Sequence, residues 1–273
     1  MDKIEDLEIR LLLEGVKEVY GYDFSAYAET SLKRRLKAWL LRSTFKTFTE
    51  ALSRLLRDPA LFKSLLHGIT VNVTDMFRDP SFFVALREKV IPHLRTYSFI
   101  KIWHAGCATG EEVYSMAILL HEEGLQGRYR IYATDIDDAV INQAREGIFP
   151  LKLMQNFIDN YHHSGGKASF ADYYTAAYDR AIFDAGLKRD IVFSQHNLAN
   201  DSHLGEMHLI LCRNVMIYFK PVLKERCMNL FDNSLLPRGF LCLGTKEKLA
   251  RNFLSSPYEN VDSQLSIYRK TYE

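Results

Sequence analysis

The stretch FIKIWHAGCATGEE, residues 99–112, decides the fold class. It opens with the apolar run 99–103, passes through a turn containing Gly106 and Gly110, and continues into a helical pattern from about Glu111. A strand that leads through a glycine turn into a helix is a typical opening unit of an α/β sheet, which binds ligands where its strands end. A glycine turn alone is equally an ordinary connection, so the prediction depends on the rest of the chain.

Strands and helices continue to alternate after this unit. Further strands are expected at 129–134, 190–194, 208–212 and 239–243, with helices at 111–123, at 221–235 and after Asp137, the last ending near Gly147. This order predicts a parallel, doubly wound sheet. Residues 148–188 do not fit the alternation; they are rich in Tyr and Phe, contain Gly165-Gly166, and are expected to form a small β-containing insertion.

The N-terminal part is expected to be helical. Leu7, Leu11, Glu14 and Lys17 fall on one helical repeat that ends near Gly21, and further helices are expected at 31–42, 49–57, 59–67 and 81–94, the last interrupted late by Pro92. We therefore predict an N-terminal helical domain at 1–75 and an α/β domain at 76–273, with the insertion 148–188 inside it.

Composition excludes several classes of protein. The 273 residues are 47% hydrophobic and 25% charged with a net charge of +1, which is typical of a globular protein and not of a strongly basic nucleic-acid binder. The acidic N-terminus and the lack of a long apolar run argue against a signal peptide or a membrane span. Four widely spaced cysteines argue against a zinc site or a disulfide framework, so we expect a cytoplasmic protein without a metal; they are Cys107, Cys212, Cys227 and Cys242.

Acidic residues beside the glycine turn indicate the ligand. Asp135 ends the second strand, where a carboxylate can accept hydrogen bonds from two ribose hydroxyls. Glu111 and Glu112 would repel a pyrophosphate but suit a ligand with an amine and a sulfonium, which favours S-adenosylmethionine over NAD. One of the two glutamates is expected to serve only as favourable charge in the first turn of the helix.

Two later strands also end in polar residues. Asn197-Leu198 follows the strand ending near Gln195, a suitable place for adenine contacts, and Asn214-Val215 follows the next strand. Either asparagine alone is an ordinary turn residue. Polar groups after four successive strands predict one shared binding site.

Four motifs resemble those of the CheR family of chemotaxis-receptor methyltransferases. They are NVTDMFR at 72–78, TGEEVYS at 109–115, ATDID at 133–137 and CRNVMIYF at 212–219. The chain departs from the family pattern at Val113, where the family has Pro, and at Met76, where it has Phe. The resemblance covers nearly the whole chain and implies a Rossmann-like class I methyltransferase sheet.

The resemblance also implies a reaction and its site. It implies methylation of glutamate side chains on chemoreceptors (methyl-accepting chemotaxis proteins) by S-adenosylmethionine, giving methyl esters and S-adenosylhomocysteine. A glutamate is already ionised at neutral pH, so direct in-line transfer needs no general base. The implied cofactor contacts are Asn72, Thr74, Arg78, Glu112, Asp135, Asn197, Leu198, Asn214 and Val215.

Two residues are candidates for catalytic roles. The guanidinium of Arg78 can pair with the incoming carboxylate and steer it, although a salt bridge within the linker is the alternative. Tyr218 can line the methyl-transfer channel and donate a hydrogen bond, or it can be a packed aromatic. His104 and the pair His162-His163 are expected to be structural or surface residues.

A basic helix predicts how the protein substrate docks. No acid lies between Ser31 and Lys46, and an apolar stripe of Leu32, Leu36, Trp39 and Leu40 is surrounded by Lys33, Arg34, Arg35, Lys37 and Arg42. This suits the acidic helical bundle of a chemoreceptor, although such a run can also be a solvated face. We expect a monomer that inserts into no membrane and binds no nucleic acid. Two alternative functions stay open: a methyltransferase that acts on RNA or a small molecule, and a binding protein without enzymatic activity. It also stays open whether a tether peptide of the receptor is needed.

Overall fold

The structure is a computed structural model that describes residues 3–72, 74–249 and 258–271. The chain divides into two compact units. The helical unit comprises Met1–Asn72 and Tyr218–Cys227, and the sheet unit comprises Val73–Ile217 and Met228–Glu273. None of the described helices is long and apolar enough to cross a membrane.

In the described residues the helical unit contains four complete helices, α1 (Lys3–Tyr20), α2 (Glu29–Arg42), α3 (Phe48–Leu55) and α4 (Pro59–Ile69), together with the first part of a later helix at Pro221–Ser234. The side chain of Thr47 caps α3 by accepting a bond from the Glu50 amide, and Asp58 caps α4. The predicted stripe on α2 is buried at Leu32, Leu36 and Trp39. On α1 the buried face is different from the predicted repeat: Ile9, Leu12 and Val16 are buried, whereas Leu7 and Leu11 are exposed.

Ten strands follow in the described part of the sheet unit. They are β1 (Ile100–Ala105), β2 (Tyr129–Asp135), β3 (Ile148–Pro150), β4 (Tyr174–Ala177), β5 (Arg180–Phe183), β6 (Ile191–Gln195), β7 (Met207–Cys212), β8 (Leu235–Leu243), β9 (Tyr258–Asp262) and β10 (Ile267–Lys270). Seven of them form the main sheet in the order β6-β2-β1-β7-β8-β10-β9. The α/β class and the Rossmann-like sheet are confirmed.

One edge of this sheet differs from the prediction of a parallel sheet. Strands β6, β2, β1, β7 and β8 are parallel, but β10 runs antiparallel to β8 and β9 runs antiparallel to β10. The two extra strands are four and five residues long and only partly buried, so their sequence carries no long apolar run. The sheet is therefore mixed.

Seven further helices are described after α4. They are α5 (Pro80–Ala85), α6 (Ile91–Leu94), α7 (Glu111–Glu122), α8 (Asp138–Glu146), α9 (Met154–His163), α10 (Ala185–Lys188) and α11 (Pro221–Ser234). The single helix expected at 81–94 is interrupted earlier than predicted, by a π turn at Leu86–Val90. Pro92 lacks an amide proton, so the preceding turn must open to accommodate it.

The insertion contains a small antiparallel sheet in the order β3-β5-β4, as predicted for residues 148–188. Its aromatic richness has a packing reason: Phe149, Phe157, Tyr161, Phe170 and Phe183 are all buried. Aromatic rings fill the space between this sheet and α9 with edge-on contacts, for example 5.4 Å between the centroids of Phe149 and Phe183.

Candidate functional site

The predicted polar residues of the sheet unit follow neighbouring strands. The parallel strands β6, β2, β1 and β7 lie side by side in that order. Asn197 follows β6, Asp135 ends β2, the glycine turn follows β1, and Asn214 follows β7. Because the carboxyl ends of parallel strands share one edge, the structure brings these four segments to the same edge of the sheet.

The turn after β1 has a backbone that side chains rarely allow. Gly106 and Gly110 have φ of 82° and 95°, and Ala108 has φ of 47°. The amide of Gly106 donates to the Thr134 carbonyl at 2.8 Å, which holds the turn against the end of β2. A Cβ on Gly106 would lie 2.5 Å from Cγ2 of Val215, so glycine is required by both φ and contact.

Asp135 supports the turn and keeps acceptor capacity. Its Oδ2 accepts from the Ala108 amide at 2.9 Å and its Oδ1 from the Asp137 amide at 3.1 Å. Burial raises the pKa of the Asp135 carboxyl above 3.8, and these two amide bonds oppose the rise. Each oxygen has a second acceptor site, so the carboxylate can still take two hydroxyl donors.

Glu112 is held as an oriented carboxylate. Its Oε2 lies 2.7 Å from Nη1 of Arg213, and its Oε1 lies 3.2 Å from Nδ1 of His104. Burial raises the pKa of the Glu112 carboxyl, but the charge of Arg213 and the contacts with His104 outweigh it and lower the pKa to about 2. An anion fixed in this way suits a ligand ammonium, and His104 takes a structural role beside it.

Glu111 behaves differently from its neighbour. It is 5% exposed and accepts a bond from Oγ1 of Thr109 at 2.6 Å. Burial raises its pKa from 4.5 to about 7, against the opposing effect of the Thr109 bond. Of the two glutamates, Glu112 is therefore the one that the structure keeps as a charged acceptor.

Arg213 is a central residue that the sequence reasoning did not select. Its side chain is 1% exposed, and its guanidinium lies 3.9 Å from the ring centroid of Phe82. Besides Glu112, it binds Oδ2 of Asp79 at 2.7 Å and reaches the carbonyl of Arg78 at 3.4 Å. It belongs to the motif CRNVMIYF, but nothing in the sequence shows which carboxylates it contacts.

The segment carrying Arg78 and Thr74 is held by its backbone. Phe77 and Asp79, on either side of Arg78, have φ of 50° and 59°. The buried amide of Phe77 donates to Oγ of Ser115 at 2.8 Å, which ties the segment to α7. Within the described ranges the Arg78 side chain makes no ion pair, so its charge is available to a ligand. Thr74 is partly buried in the same segment.

The segment after β6 is a compact turn. Oδ1 of Asn197 accepts from the Ala199 amide at 3.0 Å, and the Asn197 amide donates to Asp201 at 2.7 Å. Leu198, at 8% exposure, lies in this turn. Asn197 therefore acts as a turn residue, which is one of the two roles considered from the sequence. The NH2 group of its side chain can still donate a hydrogen bond.

A second central residue, Glu247, organises the loop after β7. Its carboxylate accepts from the amides of Gly244 at 2.8 Å, Asn214 at 2.7 Å and Ile217 at 3.1 Å. It is 5% exposed, and it stabilises Asn214 at a φ of 60°. This places Val215 against Gly106. Its role depends on partners 30 or more positions away and has no local sequence signal.

Asn72 and Tyr218 belong to the helical unit. The Asn72 side-chain nitrogen lies 3.1 Å from Nδ1 of His67. The carbonyl of Tyr218 accepts from the Ala28 amide at 2.7 Å, and the guanidinium of Arg35 lies 5.7 Å from its ring centroid. Tyr218 is partly buried, so packing accounts for part of its surroundings.

The basic residues of α2 are not equivalent. Lys33 is paired with Asp6 at 2.8 Å and Glu29 at 2.7 Å, and Lys37 is paired with Glu5. The remaining members of the predicted docking set are Arg35, which donates to the Thr70 carbonyl at 2.9 Å, and Arg34 and Arg42, which are exposed.

Exposed residues on α2 nevertheless form one mixed surface. Within the described part of the chain, neither Arg34 nor Arg42 has an ion-pair partner. Leu41 is 86% exposed and lies next to Arg42. Single exposed leucines are common on protein surfaces, so the unpaired charge of the two arginines is the feature that suits an acidic partner. In the ranges that the structure describes, no group of His, Cys, Asp and Glu is arranged to hold a metal ion.

Comparisons with known proteins agree with this arrangement. Residues 72–264 match the family model “CheR methyltransferase, SAM binding domain”, and residues 7–70 match “CheR methyltransferase, all-alpha domain”. The Pseudomonas putida protein named “Putative methyltransferase Cher3” is 46% identical over 266 residues, 97% of either chain. The “Chemotaxis protein methyltransferase” of Listeria monocytogenes is 30% identical and covers 86% of this chain and 87% of its own.

A further relative and one solved structure are also similar to the chain. The “Chemotaxis protein methyltransferase” of Borreliella burgdorferi is 30% identical over 90% of this chain and 89% of its own. A solved structure, the glycopeptide N-methyltransferase MtfA complexed with sinefungin, is similar over 73% of this chain and 60% of its own at 10% identity, with a TM-score of 0.39. The two family models together span most of the chain, and the chain belongs to the CheR methyltransferase family.

Proposed function

We propose that the protein transfers the methyl group of S-adenosylmethionine to glutamate side chains of chemoreceptors, giving glutamate methyl esters and S-adenosylhomocysteine. The observation that carries the cofactor is a pair of carboxylates: Asp135 ends β2, and Glu112 lies in the first turn of α7, which follows the neighbouring strand β1. The acceptor is inferred from relatives at 30% identity that are named chemotaxis protein methyltransferases.

The residues of the sheet unit fit this cofactor by their donor and acceptor chemistry. Asp135 would accept bonds from the ribose hydroxyls, since both of its oxygens keep a second acceptor site. Glu112 would bind the ammonium. The predicted contacts of Thr74, Asn197, Leu198, Asn214 and Val215 would enclose the remainder. The cofactor supplies an electrophilic methyl group on a sulfonium.

The chain's own part in the reaction is to bind and orient. A glutamate with an ordinary pKa of about 4.3 is ionised at neutral pH, so no residue has to remove a proton from it. Arg78, whose charge has no ion-pair partner in the described chain, would pair with this carboxylate and direct one oxygen to the methyl group. A tight pair would also weaken the nucleophile, so the gain must come from orientation.

The roles of Tyr218 and Asn72, both in the helical unit, stay predictions. Tyr218 would donate a hydrogen bond at the methyl-transfer step, and Asn72 would contact the cofactor. The domain roles are likewise proposals: residues 1–75 would recognise the receptor, and residues 76–273, with the insertion 148–188, would bind cofactor and carry out transfer.

Receptor docking is proposed for the exposed face of α2. Arg34 and Arg42 supply unpaired positive charge beside the exposed Leu41, and Lys37 adds a cation that Glu5 partly neutralises. An acidic receptor bundle would be attracted by these charges and would bury the leucine. We propose that the reaction takes place in the cytoplasm and that the enzyme acts as a monomer.

The test is transfer of labelled methyl from S-adenosylmethionine to the cytoplasmic fragment of a chemoreceptor from the same cell. Label that mild alkali releases as methanol identifies a carboxyl methyl ester. Arg78 is both the proposed steering residue and an implied cofactor contact, so Arg78→Ala should lose transfer by a larger factor than it loses cofactor affinity. Asp135→Ala should lose both together. Arg180→Ala is the matched control, because Arg180 is exposed and its ion pair with Asp179 is long, at 3.9 Å, and therefore weak.

Two results would contradict the proposal. Alkali-stable label would indicate a different acceptor atom, such as nitrogen. Cofactor binding without transfer to any of a panel of receptor fragments would indicate a different acceptor or a binding protein.

A further inference from the structure

The buried guanidinium of Arg213 joins the loop after β7 to two other segments of the sheet unit, α7 and residues 78–79. It binds Oε2 of Glu112 on α7 at 2.7 Å, Oδ2 of Asp79 before α5 at 2.7 Å, and the Arg78 carbonyl at 3.4 Å. The ring of Phe82 covers it at 3.9 Å from the centroid. Its partners are therefore the carboxylate proposed for the cofactor's ammonium and the backbone of the residue proposed to steer the acceptor.

We infer that Arg213 is a positioning residue that fixes Glu112 as an oriented acceptor for the cofactor's ammonium and holds the Arg78 backbone in register with it. This inference deepens the proposed function and rests on it. The residue touches neither reacting atom, so it acts through Glu112 and through the Asp79 segment.

The geometry is that of a clamp. Glu112 is held from two sides, by Arg213 on Oε2 and by His104 on Oε1, so its plane cannot rotate freely. The side chain of Arg213 is 1% exposed and stacks on Phe82, so the guanidinium plane is also fixed. A lysine would keep the charge but could not bind two carboxylates in this planar arrangement.

The charges around Glu112 distinguish a positioning role from that of a purely structural salt bridge. Burial raises the pKa of Glu112, and Arg213 is the largest influence lowering it, followed by His104. Asp79 stands on the other side of Arg213, and the buried thiols of Cys107 and Cys242 have raised pKa values.

When Arg213 is replaced by a neutral residue, the other groups around Glu112 do not replace its positive charge. Without Arg213 the carboxyl is left with burial and His104, and we expect its pKa to move towards that of the buried Glu111, about 7. Ammonium binding then becomes dependent on pH. For a carboxyl with a pKa of about 7, the ionised fraction changes on the order of 30-fold between about pH 5.5 and pH 8.

The experiment measures binding of two ligands by calorimetry across this pH range. S-adenosylhomocysteine carries the ammonium, and 5′-methylthioadenosine lacks the amino-acid part and serves as the matched probe. The proteins are wild type, Arg213→Gln, Arg213→Lys and Glu112→Gln. Circular dichroism and a melting curve establish folding for each variant.

A positioning role for Arg213 predicts a specific pattern. For Arg213→Gln, affinity for S-adenosylhomocysteine relative to wild type falls more at about pH 5.5 than at pH 8, by a factor of up to about 30. Arg213→Lys, which keeps the charge, weakens S-adenosylhomocysteine with no added pH dependence. Glu112→Gln weakens it at every pH. In all three variants the affinity for methylthioadenosine stays within about twofold of wild type. The substitutions change groups at the proposed ammonium site, and methylthioadenosine has no ammonium.

Equal weakening of both ligands by Arg213→Lys and Arg213→Gln would overturn the inference, since that is the signature of general distortion. An Arg213→Gln pH profile identical to wild type would overturn it as well. If Arg213→Gln does not fold, the two-ligand comparison on Arg213→Lys decides alone. Failure of the wild type to bind either ligand would instead refute the proposed function.

Discussion

Replacement of Glu111 by glutamine removes a buried titratable group while keeping its shape. Glu111 is the first residue of α7, is 5% exposed, and accepts a bond from Thr109 at 2.6 Å. Glutamine retains a carbonyl oxygen for this bond. Burial raises the pKa of Glu111 from 4.5 to about 7, although the Thr109 bond acts in the opposite direction.

Proton binding sets the sign of the effect. The folded state holds the Glu111 proton more tightly than the unfolded state, so the stability that this group provides is present below about pH 4.5 and is lost as pH rises through about 7. The full loss is about 3 kcal/mol at about 1.4 kcal/mol per pH unit. Glu111→Gln does not suffer it. The free energy of unfolding of the variant relative to wild type should therefore increase by about 2.5 kcal/mol between about pH 5 and pH 8.

The assay is urea denaturation followed by the fluorescence of Trp103, which is buried in the sheet unit. Trp39→Phe provides a background in which this tryptophan is the one that reports, since the sequence has two. Glu112 does not interfere, because a folded pKa of about 2 places its contribution below the tested range. Glu259→Gln is the control, as Glu259 is 52% exposed. A variant-to-wild-type difference that is constant with pH would refute this reasoning.

The remaining predictions concern other contacts of the same chain. In Glu247→Gln the side-chain amide has one acceptor oxygen in place of two, so one of the three hydrogen bonds from backbone amides should be lost. The free energy of unfolding measured in urea should fall by about 1.5–3 kcal/mol, and a fall under about 0.5 kcal/mol would contradict the assigned role. Ser115→Ala leaves the buried Phe77 amide without its acceptor and should cost about 1–3 kcal/mol, and unchanged stability would show that the segment is not held there. Arg34→Glu should lower kcat/KM on a receptor fragment several-fold at low salt and less at high salt, with unchanged S-adenosylhomocysteine affinity. The control is Arg57→Glu, because Arg57 is also an exposed arginine of the helical unit, and its effect should be smaller. Equal effects of the two variants would refute docking on α2.

The strand ends could be predicted because their signal is local and their geometry is general. An apolar run with a glycine turn and acids after it, as in residues 99–112, is sufficient to predict β1, the turn and α7, while the ligand site at this strand end stays a prediction. The same reasoning predicts Asp135, since neighbouring parallel strands end at one edge. The β-containing insertion could be predicted because its residues do not fit the alternation.

Long-range partners could not be predicted. Arg213 and Glu112 are separated by 101 positions, and Glu247 and Asn214 by 33, so no spacing rule connects them. A charged residue inside a motif such as CRNVMIYF is a sign of a buried role, but its partners appear only when the sheet is folded. The antiparallel β9 and β10 escape prediction for a different reason, as short half-buried strands lack an apolar run.

The sequence shows that α2 is basic, but not how its charges are divided. Lys33 and Lys37 are neutralised by acids of α1, and such pairing between helices depends on their packing. The exposed Leu41 and the unpaired Arg34 and Arg42 are what the structure adds. The docking proposal therefore narrows from the whole run to this face.

The most direct test of the central claim is to locate the transferred methyl group. The receptor fragment is incubated with the enzyme and S-adenosylmethionine carrying a deuterated methyl, and its peptides are sequenced by mass spectrometry, with Asp135→Ala as the enzyme control. We expect deuterated methyl esters on glutamate side chains with the wild type and none with Asp135→Ala. Label on another residue type, or the same glutamate label with Asp135→Ala, would contradict it.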